Sequence, residues 1–461
     1  MHSKLKPYNE YKNSNVPFLD RIPKDWLELP FHSIAKIKSV TNKTNEELLS
    51  VFLDKGVIKY SQTKGVQVHK PSEDLSKYQL VEPGDFVLNN QQAWRGSVGV
   101  SQYRGIVSPA YYVFELSKLI NPRFGNYLFR DSVMVNQFVL SSKGVGSIQR
   151  NLYYPMLKRI RVPLPPITEQ EQIVKYLDFK LAKINKFIKA KKRLINVLKE
   201  QKQAVINQSV TKGLNPNVKM KPSGIEWIGD IPEHWEIKPL RQLLRPISIK
   251  NRPNLPLLSV VREKGVILRS EMSTEENHNF IPDDLSGYKV VEKGQFVINK
   301  MKAWQGSYGV SQYNGIVSPA YYVFNLYFNN KEYFHYAIRS RVYVNFFSQA
   351  SEGVRIGQWD LSLNKMKDIP FFIPPKDEQN EIIKFISKEL IRIENSISKV
   401  QKEIELLMEY RTRLISDVVT GKVDVRGIEV EDIPEQDMEL DDVDEELEEY
   451  EEAFDAEECE V

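Results

Sequence analysis

The chain has almost no cysteine. Only Cys459 among its 461 residues carries a thiol, so no disulfide can form within it and a reducing, cytoplasmic setting is expected. Histidine is sparse and scattered, at positions 2, 32, 69, 234, 278 and 335, and without cysteine partners it offers no zinc-ligand spacing. No apolar run approaches the roughly 18 residues that span a bilayer, so a soluble protein is expected. The opening segment MHSKLKPYNEYKN lacks the apolar core of a secretory signal. Nucleotide signatures are missing too. There is no Walker A sequence, and Gly144-Val145-Gly146 is followed by Gln149 where a dinucleotide fingerprint needs its third glycine. No nucleophile elbow or acidic-plus-lysine nuclease cluster is present. These absences point away from covalent chemistry in this chain.

What the chain does have is an internal repeat. Residues 93–114 read AWRGSVGVSQYRGIVSPAYYVF, and residues 303–324 read AWQGSYGVSQYNGIVSPAYYVF. Only the pairs 95/305, 98/308 and 104/314 differ, at an offset of 210. Outside this block Ile22-Pro23 and Trp26 recur as Ile231-Pro232 and Trp235, Lys55-Gly56-Val57-Ile58 as Lys264-Gly265-Val266-Ile267, and Glu169-Gln170 as Glu378-Gln379. Each copy is roughly 200 residues, one domain plus an appended element. The 41% apolar composition is enough for two cores.

The net charge of +3 hides a division. The tail from Glu429 to Val461 holds 19 of the 61 acidic residues and no Lys or Arg, which leaves 42 acidic residues against all 64 basic ones in the body. A body that basic is the electrostatic footprint of a nucleic-acid binder. The alternative is a basic protein with solvated surface charge. The tail reads as a solubilising, disordered segment, or as a competitor of DNA for the basic body.

Within each copy, strand-like runs such as Asp85–Asn89 and Tyr111–Leu116 are punctuated by Gly and Pro, and a helical stretch follows around Arg123–Leu140. Asn121-Pro122-Arg123-Phe124 hints at the Asn-Pro-Pro-aromatic motif of adenine methyltransferases, but Arg stands in place of the second proline, and the segment reads more simply as a turn. A long helix then begins. Pro165-Pro166 blocks helix before it, and Thr168 with Glu171 is expected to form a capping box. Asp377 is the expected N-cap after Pro374-Pro375. The second helix has a heptad seam through Ile382, Ile386, Leu390, Ile393, Ile397, Val400, Ile404, Leu407, Arg411, Leu414 and Val418. The first repeats this seam from Ile173 to Ser209, with Lys191 and Lys202 interrupting it. Each helix is about 40 residues, or roughly 60 Å. Antiparallel pairing of the two with a pseudo-two-fold axis is expected; the alternative is that each pairs with another protein. The fold class is α+β: two tandem homologous α/β domains separated by two long helices that form an antiparallel coiled coil. The boundaries read as a first domain (1–165), a central helix (166–212), a second domain (213–374), a C-terminal helix (375–422) and an acidic tail (423–461).

At this point the sequence resembles the specificity subunit of a type I restriction-modification system. The likeness rests on the stretch GIEWIGDIPEHW at 224–235, the two Ser-Pro-Ala-Tyr-Tyr strands, and Pro-Pro-x-x-Glu-Gln-x-x-Ile leading into each long helix, all duplicated in the same order. The resemblance implies two target recognition domains, each reading half of a split site in double-stranded DNA. It implies helices that space the domains and dock two methyltransferase subunits, with ATP-driven restriction subunits in the larger assembly. Adenine N6 would be methylated. S-adenosylmethionine, ATP and Mg2+ would be carried by partners, and this chain would hold no cofactor. The half-sites should be related in sequence but not identical. The competing classes are a self-contained modification enzyme and a coiled-coil adaptor that binds only proteins.

Candidate DNA-reading residues follow from the variable positions. Arg95/Gln305, Val98/Tyr308 and Arg104/Asn314 change donor pattern inside a constant frame. Arg suits guanine, while Asn or Gln suits adenine. The alternative is drift on an exposed loop. A second loop contains Lys143, Gln149 and Arg150 in the first copy and Arg355 and Gln358 in the second. Lys64, Lys143, Lys300 and Lys302 are candidate phosphate contacts. Trp94 and Trp304 are candidates for base stacking, with core packing as the competing reading. Of Tyr111-Tyr112 and Tyr321-Tyr322, one of each pair is expected in the core.

Overall fold

The computed structural model describes residues 5–53, 55–63, 71–145, 149–262, 264–271, 281–353 and 359–431. Two compact units emerge. One comprises the described residues up to Ala190 together with those from Glu403 onward, and the other runs from Lys191 to Lys402. Each unit contains one repeat and a segment of both long helices.

The first repeat is built on a four-stranded antiparallel sheet of β1 (Ala35–Lys38), β2 (Phe86–Asn89), β3 (Val98–Val100) and β4 (Tyr111–Leu116), in the order β1-β4-β2-β3. Alternation along these strands sorts the side chains onto two faces. Phe86 and Phe114 face Phe31 and Phe129, with ring centres 4.3 Å apart for Phe86–Phe129 and 5.1 Å for Phe31–Phe114. Val87 and Val113 face the other way, into a cluster with Leu49, Val51, Val57, Val81 and Val107. Both faces are therefore buried, and the strands read as apolar runs. The helical stretch is two helices, α1 (Pro122–Phe129) and α2 (Ser132–Leu140). The Asn121 side chain caps α1 by accepting from the Arg123 N–H at 2.9 Å, with Pro122 in the first turn. Asp131 starts α2 by accepting from the Val133 N–H at 2.9 Å. A hairpin follows, of β5 (Ser142–Val145) and β6 (Gln149–Leu152), and then α3 (Ile167–Lys212).

The second repeat has the same plan. Its sheet is β7 (Leu244–Ile247), β8 (Phe296–Asn299), β9 (Tyr308–Val310) and β10 (Tyr321–Leu326), in the order β7-β10-β8-β9. Helices α4 (Lys331–Ile338) and α5 (Arg341–Gln349), the short strands β11 (Ser351–Glu352) and β12 (Asp360–Leu361), and helix α6 (Lys376–Val419) complete it.

The long helices start earlier than their side chains suggested. α3 begins at Ile167, with the Glu169 and Gln170 N–H groups donating to the Pro166 carbonyl at 2.9 and 3.0 Å. Thr168 therefore lies inside the first turn, and no capping box forms with Glu171. α6 begins at Lys376, which places Asp377 in the first turn instead of at the cap, where its charge complements the helix dipole. The Glu-Gln pair has a different task. Glu169 Oε1 accepts from the Tyr8 hydroxyl at 2.6 Å and from the Trp26 indole N–H at 2.9 Å, and burial together with this carboxylate raises the Tyr8 pKa. Gln170 donates to the Leu119 and Pro165 carbonyls, each at 2.9 Å. In the second repeat Glu378 Oε2 accepts from the Trp235 indole N–H at 3.1 Å and meets His234 Nε2 at 2.7 Å. The Ile-Pro-x-x-Trp and Pro-Pro-x-x-Glu-Gln motifs thus clasp each domain to its helix.

Within each unit the helices run antiparallel. In the first unit Gln172, near the start of α3, donates to the Val425 and Ile428 carbonyls just past the end of α6, and further along α3 Asn185 accepts from Arg411 of α6 at 3.3 Å. In the second, Lys202 pairs with Glu394 at 2.9 Å, and toward the end of α3 Gly213 lies against Glu378. Ile173, Leu177, Ile184 and Ile188 are buried on α3, as are Ile382, Ile386, Ile393, Val400, Ile404, Leu414 and Val418 on α6. The charged Lys202 stays at the edge of its seam and is satisfied by Glu394. No helix among the described residues is long and apolar enough to cross a membrane.

Candidate nucleic-acid interface

The turn between β2 and β3 contains one 3-10 turn, Ala93–Arg95, closed by Gly96 at φ +102. That left-handed conformation disfavours a side chain, which accounts for the glycine after the Trp-Arg and Trp-Gln pairs. Ala93 is buried against α2 and fixes the turn. The hairpin β5–β6 is stitched onto this turn: the Leu152 N–H donates to Asn90 at both its carbonyl (3.1 Å) and its side-chain oxygen (2.9 Å). In the second repeat the Leu361 N–H donates to the Lys300 carbonyl at 2.9 Å. The two loops singled out in the sequence therefore form one surface in each repeat.

On the first repeat this surface gathers Trp94, Arg95, Lys143 and Arg150. The guanidinium of Arg95 lies 4.7 Å from the Trp94 ring centre, and that of Arg150 lies 5.5 Å from it. Lys143 sits 3.9 Å over the ring of Tyr153, an aromatic that sequence reasoning passed over. Trp94 is half-buried, with its indole N–H on the Gln91 carbonyl at 3.0 Å, so it packs and also presents a face. Gln149 opens β6, and its side chain lies outside the described residues, as does Lys64.

The second repeat arranges the same frame differently. Trp304 is buried and packs on Trp359 at 5.1 Å. Lys300 pairs with Asp360 at 2.7 Å, and this contact raises its pKa. Lys302 is exposed at the start of the 3-10 turn Ala303–Gln305, and Gln305 is half-buried. Arg355 and Gln358 lie outside the described residues.

Two expectations about the variable positions are corrected. Tyr308 is 0% exposed, stacked on Phe347 at 4.2 Å, and its burial raises the phenol pKa well above the usual value; it has no access to a base. Val98 is likewise in the core. The exchange is a packing compensation. Where the first repeat has Val98 and Phe129, the second has Tyr308 and Ile338, with bulk moved from helix to strand. Arg104 and Asn314 lie at the far end of β3 and β9 from the turn. Arg104 pairs with Glu46 at 3.0 Å and Glu82 at 3.2 Å, and Asn314 accepts from the Lys293 N–H at 2.7 Å. Both serve the scaffold there. Tyr111 and Tyr112 are each half-buried on opposite faces, and so are Tyr321 and Tyr322, so neither pair divides cleanly into core and surface.

The family model for the type I restriction modification DNA specificity domain matches residues 23–200. The type I restriction enzyme MjaVIII specificity subunit of Methanocaldococcus jannaschii is 24% identical over 91% of this chain and 98% of its own length. The type I restriction enzyme EcoKI specificity subunit of Escherichia coli K12 is 23% identical over 80% of this chain and 82% of its own. Among solved structures, a chain from a study of complex assembly and conformational transition in the type I R-M system aligns with a TM-score of 0.59 at 13% identity, covering 87% of this chain and 99% of that one, a likeness of fold. The curated relatives are named as specificity subunits. Residues 23–200 thus match the type I restriction modification DNA specificity domain, and over most of its length the chain is similar to type I restriction enzyme specificity subunits.

Proposed function

We propose that the chain reads a split site in double-stranded DNA, one half per repeat, and directs partner methyltransferase subunits to adenine N6 and restriction subunits to unmodified DNA. The observation that carries this reading is that the hairpin and the tryptophan turn meet on one surface in both repeats, with exposed Arg95 and Lys143 and half-buried Arg150 gathered on the first. Cations over aromatic rings form a surface suited to phosphates and base edges. The equivalent surfaces differ in residue content, which supports half-sites that are related but not identical. Two linked readers multiply each other's affinity through effective concentration.

The helices supply the second element. Off the seam, Phe187 is 62% exposed, with Leu406, Met408 and Tyr410 also exposed in the same unit. Leu194, Val197, Phe385 and Ile391 are exposed in the other. Exposed large apolar residues on paired helices favour docking of partner helices, one methyltransferase subunit per unit. S-adenosylmethionine belongs to those subunits, and ATP and Mg2+ to the restriction subunits. The setting is cytoplasmic host defence. The test is a methylome: the chain is co-expressed with its methyltransferase subunit in a methylation-free host, and N6-methyladenine is mapped. A split motif with a fixed spacer is expected. With complex formation verified, an absence of modified adenine refutes the reading.

A further inference from the structure

The equivalent surfaces of the two repeats carry different charged groups on one frame. In the first, Arg95 comes from the turn and Arg150 from β6, and both lie on the Trp94 ring. Among the described residues neither arginine, nor Lys143, pairs with a carboxylate. At the matching positions the second repeat has Gln305, Trp359 and Glu352. There the indole of Trp359 takes the place of a guanidinium, Lys300 is neutralised by Asp360, and Lys365 pairs with Glu352.

A guanidinium resting against an indole is held in place while its outer N–H edge stays free. Two N–H donors on that edge match the O6 and N7 acceptors of guanine, a fit that an ammonium cannot reproduce. We infer that the Trp94-braced pair Arg95 and Arg150 reads guanine in the half-site of the first repeat, and that the second repeat reads its half through the amide of Gln305 on a tryptophan-packed surface. This rests on the DNA-reading function proposed above and assigns its specificity-determining residues. Lys143, braced on Tyr153 by cation–π contact alone, positions a phosphate.

The test replaces fork by point charge. Methylation motifs are mapped for the wild type, Arg95→Lys, Arg150→Lys and the double variant, each co-expressed with the methyltransferase subunit and checked by co-purification. In the double variant, discrimination at guanine positions of one half-site should fall roughly 10- to 100-fold, with the other half unchanged. Lys143→Gln should lower modification evenly and leave the motif intact. An unchanged motif in the double variant, or equal relaxation of both halves, overturns the assignment. If the lysine variants fail to assemble, Arg95→Gln alone, at an exposed turn position, gives the same readout. A wild type that yields no split motif refutes the parent reading; a wild-type motif that the variants leave intact refutes this inference only.

Discussion

Replacing Glu169 by alanine should loosen the first repeat far more than the equivalent change at Glu378 loosens the second. Glu169 is 6% exposed and accepts from two buried donors, the Tyr8 hydroxyl and the Trp26 indole. Hydrogen bonds to a charged group contribute about 1.5–3 kcal/mol each, and donors left buried keep their desolvation penalty, so Glu169→Ala should cost about 4 kcal/mol. Glu378 is only partly buried, and one of its two partners, His234, is 43% exposed at the side chain. Solvent reduces that contact to a few tenths of a kcal/mol, leaving the Trp235 bond and a cost of about 2 kcal/mol. Glu169→Gln keeps an acceptor oxygen for both donors and loses only the charge, about 1 kcal/mol. Native-state hydrogen exchange read by mass spectrometry separates the repeats, since each substitution should lower opening free energies in its own unit. Losses of equal size at the two glutamates, or a Glu169→Ala cost under 1 kcal/mol, would refute the view that these motif residues are domain clasps graded by burial.

Burial and the neighbouring Arg339 press the His335 pKa from its usual 6.5 down to about 3. The unfolded chain therefore binds this proton first, and stability of the second repeat should fall as pH drops below about 6.5, at up to about 1.4 kcal/mol per unit, levelling off near pH 3. His335→Asn, the residue at the equivalent Asn126 whose side chain accepts from the Val100 N–H, should flatten that limb in pH-dependent unfolding; an unaltered slope assigns the loss elsewhere. Tyr308→Val should open a cavity costing about 3 kcal/mol, part of which Ile338→Phe recovers, as a double-mutant cycle would show. Strictly additive losses would rule out the compensation. Deleting residues 429–461 should raise affinity for nonspecific DNA at low salt by roughly tenfold, with the gain vanishing as salt rises. Equal affinities in a titration would end the idea that the acidic tail competes with DNA.

Sequence reading reached the architecture because duplication and heptad spacing are local patterns. Ile382, Ile386 and Ile393 are three or four residues apart and are buried where that spacing puts them. The caps failed because Pro166 and Pro375 already stand immediately before the helices, so the polar residues that follow fall inside the first turn. What Glu169 and Gln170 do instead depends on partners such as Trp26 and Leu119, which lie far away in sequence. Tyr308 looked like a variable surface residue because its compensating partner, position 338, lies outside the shared block. The union of the turn with the hairpin was likewise invisible, since it depends on Asn90 meeting Leu152.

The sharing of the long helices between units has a kinetic corollary. The described residues of the second unit all fall between Lys191 and Lys402, whereas the first unit needs residues from Glu403 onward, more than two hundred positions after the rest of it. A growing chain meets these requirements in reverse order of its sequence. The second unit has all its parts before the first does, although the first was synthesised earlier. Until the end of α6 and the residues just past it are made, Gln172 lacks the carbonyls of Val425 and Ile428, and the apolar seam from Ile173 to Ile188 lacks the α6 segment of its own unit. Long-range closure of that kind is slow and exposes aggregation-prone surface. A chain that terminates just beyond Lys402 should therefore retain every described part of the second unit and lack the α6 segment of the first.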